Sequence, residues 1–287
     1  MDTTTPSYDE LTHAFTRLYR LQHLQSIASW DQAANMPPRG NEARAAAMAE
    51  MATLLHRMRT DPTLARQLDS AETEPLNEPQ RANLREMRRE WRQSNALPES
   101  LVQRAHMAGA RCEHAWRTQR PANDWKGFLA NFREVLAIER EASEALSQQF
   151  GLSRYDALMD RFEPGMRSKV LDAVFGDVRR WLPGLIRQVI DKQSREPLLQ
   201  PSGPFPVESQ RKLCERVIGL LGFDFEAGRL DVSTHPFCGG VPEDVRMTTR
   251  FRDDEFLGSL MGTIHETGHG RYEQNRPREL LGQPVSE

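Results

Sequence analysis

The sequence predicts a mainly α-helical protein with a small antiparallel β-hairpin set just before a helix that carries an H-E-x-x-H pattern. Three observations support this. Apolar residues recur at three- and four-residue spacing through most of residues 7–193. β-branched residues in rough alternation mark 229–234 and 245–250, with Gly239-Gly240 and Pro242 between them. Apolar residues at 256, 257, 260, 261 and 264 then restore the helical period and lead into His265-Glu266-Thr267-Gly268-His269.

In chain order, Ser7 and Glu10 stand at capping-box spacing, with Leu11, Phe15 and Leu18 opening an apolar stripe behind them. Pro37-Pro38 stops this helix, and Asn41 is placed to cap the next, which runs to about Arg59. Asp61-Pro62 begins a short helix with proline in its tolerated first-turn position. The segment from Asn77 to Ser94 is rich in arginine, but Glu78, Glu86 and Glu90 are interleaved at helical spacing. That pattern describes a solvated, ion-paired face and not a nucleic-acid patch. Pro98 opens a helix to about Gln119. Asp124 caps another, whose Trp125, Phe128, Leu129, Phe132 and Leu136 are expected in the core, with Gly151 as terminator. A helix from about Ser168 to Lys192 should kink or end at Pro183.

Prolines 197, 201, 204 and 206 mark a linker. The expected division is therefore a helical region 1–193, a proline-rich linker 194–206, and a region 207–287 holding a helix, the hairpin and the H-E-x-x-H helix. The hairpin either lines a cleft, offering a strand edge to an extended peptide, or only covers one face of that helix.

Composition narrows the function classes. A net charge of −3 with 28% charged residues describes an ordinary soluble surface and points to neither nucleic acid nor anionic membrane. No apolar run approaches the ~18 residues of a membrane span. The first residues, Met1 to Pro6, lack a signal-peptide profile. Cys112, Cys214 and Cys238 are too scattered for a disulfide framework or a thiolate zinc site, so a cytoplasmic protein is expected.

The chemistry concentrates at residues 265–269. Histidines four apart lie one helical turn above each other, so both imidazoles can reach one divalent metal, zinc first, with cobalt and manganese accepting similar ligands. Glu266 points to a neighbouring face, where a carboxylate can take a proton from the attacking water without ligating the metal. The bland alternative is a pair of hydrogen-bonded core histidines. Gly262, Gly268 and Gly270 argue against it, since each costs a helix about 1 kcal/mol unless a close neighbour requires it.

Several further words stand in order around this helix: His235-Pro236-Phe237, then Asp244-Val245-Arg246-Met247-Thr248, then the H-E-x-x-H itself. Upstream lie Ser29-Trp30-Asp31-Gln32 with Asn35-Met36-Pro37, and Tyr155-Asp156-Ala157-Leu158-Met159-Asp160 with Glu163-Pro164-Gly165. Together they resemble the carboxypeptidase Taq family of zinc metallocarboxypeptidases, over most of the chain. The resemblance implies a zincin-like architecture and one bound divalent metal. It also implies removal of C-terminal amino acids from peptides, with His265 and His269 as metal ligands and Glu266 as general base. The family's members are typically broad-specificity homodimers.

Recognition of a terminal carboxylate calls for a fixed cation. Arg246 and Arg250 are the candidates, each equally readable as a structural arginine. Asp244 is a candidate to orient a ligand histidine, and His235 to line the cleft. The resemblance places the third metal ligand, a glutamate, and the main carboxylate-binding arginine in motifs beyond Glu287, so the chain reads as truncated. Glu273, one turn past His269, and Glu287 itself are the acidic residues left to consider. Two readings follow: part of a metallocarboxypeptidase, weak or inactive by itself, or a non-catalytic helical scaffold or binding protein keeping a vestigial metal site.

Overall fold

A computed structural model describes residues 4–197 and 201–286. Met1 to Thr3, residues 198–200 of the expected linker, and Glu287 lie outside the described residues. The chain forms two compact units, one of residues 1–136 with 203–287, the other of 137–202. One boundary falls within the expected 194–206 linker, but a second lies at 136/137, and the late residues share a unit with the first helices.

In the larger unit the first helix, α1 (Pro6–Ala34), starts with proline at its first turn. The expected local capping box does not form. The Ser7 and Tyr8 N–H groups instead donate to the Glu74 carboxylate at 2.8 and 3.0 Å, because starting at Pro6 moves Glu10 off the position that could reach back. α2 (Asn41–Arg59) begins at Asn41, which is its first helical residue and makes no side-chain cap. α3 (Pro62–Ala71) is capped as expected, Asp61 accepting from the Thr63 N–H at 2.8 Å. α4 (Glu78–Asn95) has a reciprocal cap between Asn77 and Gln80. Two of its arginines are ion-paired, Arg88 with Asp69 and Glu72, and Arg89 with Glu86. α5 (Glu99–Gln119) completes the set. Leu11, Phe15 and Leu18 of α1 meet Leu55, Leu64, Leu68, Leu84 and Met87 in one apolar core.

α6 (Trp125–Phe150) begins in the larger unit and ends in the smaller. Asp124 caps it through the Gly127 N–H, and Gly151, with φ +65°, ends it. Its expected core stripe is not buried. Trp125 is 64% exposed, and Phe132 and Leu136 are exposed as well. Trp125 and Phe128 lie tilted at 5.7 Å and Phe128 stacks on Phe132 at 5.4 Å, and the half-buried Phe128 shares a cavity with Trp116 and Gln119 of α5.

The smaller unit adds α7 (Arg154–Met159) and α8 (Ser168–Gln193). The acidic residues of the Tyr155–Asp160 motif build the turn between them. Asp156 accepts from the Ser168 N–H at 2.7 Å, and Asp160 accepts from the Gly165 N–H and from Arg167. Pro183 lies inside α8 without ending it. None of this helix's residues is buried, so a carbonyl that loses its N–H partner to proline can turn to water.

α9 (Val207–Leu220) precedes a three-stranded sheet of β1 (Gly228–Val232), β2 (Phe237–Val241) and β3 (Asp244–Thr249), and α10 (Leu257–Gln274) follows it. The expected hairpin exists, but between β2 and β3 across Pro242-Glu243. The two segments predicted to pair antiparallel, β1 and β3, run parallel, with Arg229 beside Arg246 and Leu230 beside Met247. The difference is β2. The Gly239-Gly240 segment, read as a loop, is an edge strand. At Gly240 (φ +105°) a Cβ would lie against the Asp244 carbonyl, so glycine is required there.

Pleating gives the sheet two distinct faces. Leu230, Val245 and Met247 bury with Cys214, Ile218 and Phe223 in a second core. On the other face Arg246 and Arg229 lie over the Trp30 ring of α1, 4.7 and 5.6 Å from its centroid. Residues 278–286 then return to the helical bundle. Asn83, almost fully buried, donates to Gln283 at 3.0 Å and accepts from the Val285 N–H, and Gln283 donates to the Thr12 carbonyl. Among the described residues no helix is long and apolar enough to cross a membrane.

Candidate metal centre

α10 is the helix expected from sequence, but it buries a different face. Leu257 and Met261, expected inside, are exposed, whereas Ser259, Thr263, Glu266, Thr267 and Gly270 are buried. Small residues are needed because Met247 and Phe223 already fill the space: a Cβ on Gly270 would lie 2.9 Å from the Phe223 ring and 3.1 Å from Met247 Sδ. The hydroxyls of Thr263 and Thr267 donate to carbonyls one turn back, so they enter the interface without an unpaired donor. Of the three suspect glycines, only Gly270 is explained by close approach. Gly262 meets Pro236 at ordinary contact distance, and Gly268 faces open space.

The opposite side of α10 presents His265 and His269. Both are exposed, with ring centroids 5.1 Å apart and planes at 79°. Glu266 turns inward and is 6% exposed. It lies close enough to Cys238 of β2 to influence that thiol, which is pushed up to about 12 by burial first and then by the charges of Glu266 and Glu273. The acid is thus held between helix and edge strand, beside a pair of nitrogen donors.

The two imidazoles fit as two ligands of one metal ion. A complete set is absent, since no group of three or more His, Cys, Asp or Glu side chains among the described residues could hold one. Glu273 is engaged by Arg276 at 3.0 Å.

The other candidate residues gather elsewhere. Arg246 makes a bidentate pair with Asp244 and stacks on Trp30, so its donor edge is already occupied. Asp244, with His23 Nε2 a further 4.0 Å away, is joined to Arg246 and not to His265 or His269. Hydrogen bonds from Arg246 hold its carboxyl below the usual carboxylate range. Arg250 is exposed and reaches the Thr234 carbonyl at 3.4 Å. His235 is exposed, and its carbonyl accepts from Ser233 Oγ. Sequence reasoning did not anticipate that Trp30 and Arg246, in two separate motifs, would meet, or that Cys238 would sit beside Glu266.

Residues 10–287 match the family described as carboxypeptidase Taq (M32) metallopeptidase. The chain belongs to that family. It is 37% identical over 277 residues to thermostable carboxypeptidase 1 of Thermus thermophilus, covering 92% of this chain and 54% of the relative. Carboxypeptidase 1 of Bacillus subtilis is 28% identical, with 95% of this chain and 55% of the relative covered. Among solved structures, metallocarboxypeptidase 1 of Trypanosoma cruzi superposes with a TM-score of 0.88 at 45% identity, over 99% of this chain and 57% of that one. The M32 carboxypeptidase of Deinococcus radiodurans R1 gives 0.83 at 28% identity, over 98% of this chain and 56% of that one. The chain therefore spans little more than half the length of the relatives it matches. Those structures share its mainly helical architecture with a small sheet.

Proposed function

We propose that these residues carry the metal-binding and general-base part of a zinc metallocarboxypeptidase that removes C-terminal amino acids from peptides. The observation that carries this is the placement of two exposed imidazoles on successive turns of α10 with a buried carboxylate between them. A bound divalent metal would polarise the scissile carbonyl and acidify water. His265 and His269 would hold it. Glu266, fixed by burial against β2, would take the proton from the attacking water and return it to the leaving amine. A cytoplasmic setting, supported by the scattered cysteines, and a homodimer, supported by family resemblance, belong to the same proposal.

A second reading is favoured by one observation, the lack of a third donor beside the histidines among the described residues. It makes this chain by itself a weak metal binder without turnover. Both readings meet in one experiment: zinc titration of the purified chain, with release of C-terminal amino acids from a peptide followed in parallel. His265→Ala or His269→Ala should weaken metal binding by more than the roughly 10–100-fold that loss of an outer partner costs. Glu266→Gln should leave metal binding nearly unchanged and abolish any residual turnover. Unchanged zinc affinity in both histidine variants would overturn the site. Efficient turnover by the chain alone, lost in Glu266→Gln, would overturn the second reading.

A further inference from the structure

Between α1, α2, α5 and β2 lies a cleft of about 780 Å³ that none of the residues discussed as metal ligand or base enters. Its walls are mostly small or apolar, with Trp30, Gly109, Phe237 and Gly239 among them, and one side carries Glu113 and Arg117. Those two charges neutralise each other in a bidentate pair at 2.8 and 2.9 Å, and Arg117 also donates to the Gln32 carbonyl. The cleft thus offers no free charge on that side, but it does offer room. A Cβ added at Gly109 or at Gly239 would meet nothing within 4 Å.

The position of β2 ties this cleft to the candidate metal centre. β2 is an edge strand, and its residues alternate between faces. Cys238 packs against the second core, on the face that α10 covers, whereas Phe237 and Gly239 line the cleft, joined by Gly240 where the backbone turns to φ +105°. A peptide added along the free edge would alternate in the same way, sending every second side chain toward the cleft and the others toward α10.

We propose that this cleft is the chamber for an apolar side chain of the peptide substrate, on the N-terminal side of the bond to be cut. Gly109 and Gly239 set its width and Trp30 forms part of its wall. The proposal rests on the peptidase reading above, and it adds which substrates are favoured: peptides with a bulky apolar residue at one of the positions before the C-terminal one.

The test uses the whole chain with its five tryptophans replaced by 5-fluorotryptophan, the Trp30 resonance being assigned by its loss in Trp30→Phe. The probes are acetyl-Ala-Ala-Ala, acetyl-Phe-Ala-Ala and acetyl-Ala-Phe-Ala. One phenylalanine peptide should shift the Trp30 signal saturably, at a concentration at least about tenfold below that needed for the all-alanine peptide. Gly239→Val and Gly109→Leu, each filling open space, should raise that concentration about tenfold with the circular dichroism unchanged. Equal responses to all three peptides, or variants that bind like the parent, would overturn the chamber. Cobalt absorption at His265 and His269 reports the underlying reading separately. Cobalt bound without a phenylalanine-selective shift overturns the chamber alone. A selective shift in a chain that binds no cobalt supports the chamber as a peptide site and overturns the catalytic reading.

Discussion

α9 and α8 are both amphipathic helices, yet they end in opposite circumstances. α9 buries Gln210, Cys214 and Ile218 against the sheet and α10. α8 is nearly twice as long and buries nothing; Phe175, Trp181, Ile186 and Ile190 stand about half exposed or more. Both sequences announce a face to be covered. Only one finds its cover among the described residues, so the apolar period reports that a helix has an inside but not what fills it. The same distinction separates Leu11, Phe15 and Leu18 of α1, which enter a core, from Trp125, Phe132 and Leu136 of α6, which do not.

The sharpest way to break this comparison is to make one chemical change in both helices. Ile218→Ala removes a side chain with 0% exposure and should cost about 2–5 kcal/mol in urea unfolding. Ile186→Ala, at a side chain 47% exposed, should stay within about 0.5 kcal/mol. Matching losses would mean that α8 is packed in solution.

A smaller effect is expected where α1 meets the sheet. Asp244→Asn leaves Arg246 without its carboxylate partner, and the pair is partly exposed, so about 1 kcal/mol or less should be lost at pH 7. The Asp244 carboxyl is held below its usual 3.8 by Arg246. Its contribution is therefore complete above that value and is lost as pH falls through the lowered one. The variant should show a flatter decline in stability on the acid side, measured by thermal unfolding from pH 7 to pH 2. Parallel profiles would remove the ion pair from the account.

The least change is expected at Cys238, which tests whether the contact between β2 and α10 is closed. With its pKa near 12, alkylation by iodoacetamide at pH 8 should be slow, and Glu273→Gln should speed it only a few-fold by removing one nearby charge. Reaction at the rate of a free thiol would show that this contact opens.

Much of the helical frame was legible because its signals are local. Asp61-Pro62, Asp124 and Gly151 each act within a few residues, and each stands where the structure uses it. What escaped was non-local. Glu74 caps α1 from 66 and 67 positions away, and nothing near Ser7 announces it. The parallel register of β1 and β3 depends on β2 taking the far side of β3, which strand propensity does not encode. At the site, helical spacing placed His265, Glu266 and His269 on the right helix. The burial of Glu266 and the Trp30–Arg246–Asp244 assembly follow from tertiary packing.

The clasp at Asn83 bears on how the chain is made. Its partner Gln283 lies 200 positions later, an interval of roughly 10–40 s at ordinary rates of synthesis. Through that time α1, α3 and α4 can already be assembled around a hydrated slot, with the Asn83 amide in contact with water. The last polar bonds of the bundle can close only after the sheet and α10 have emerged, so a ribosome pausing anywhere in that stretch would hold the early helices in an unlatched state.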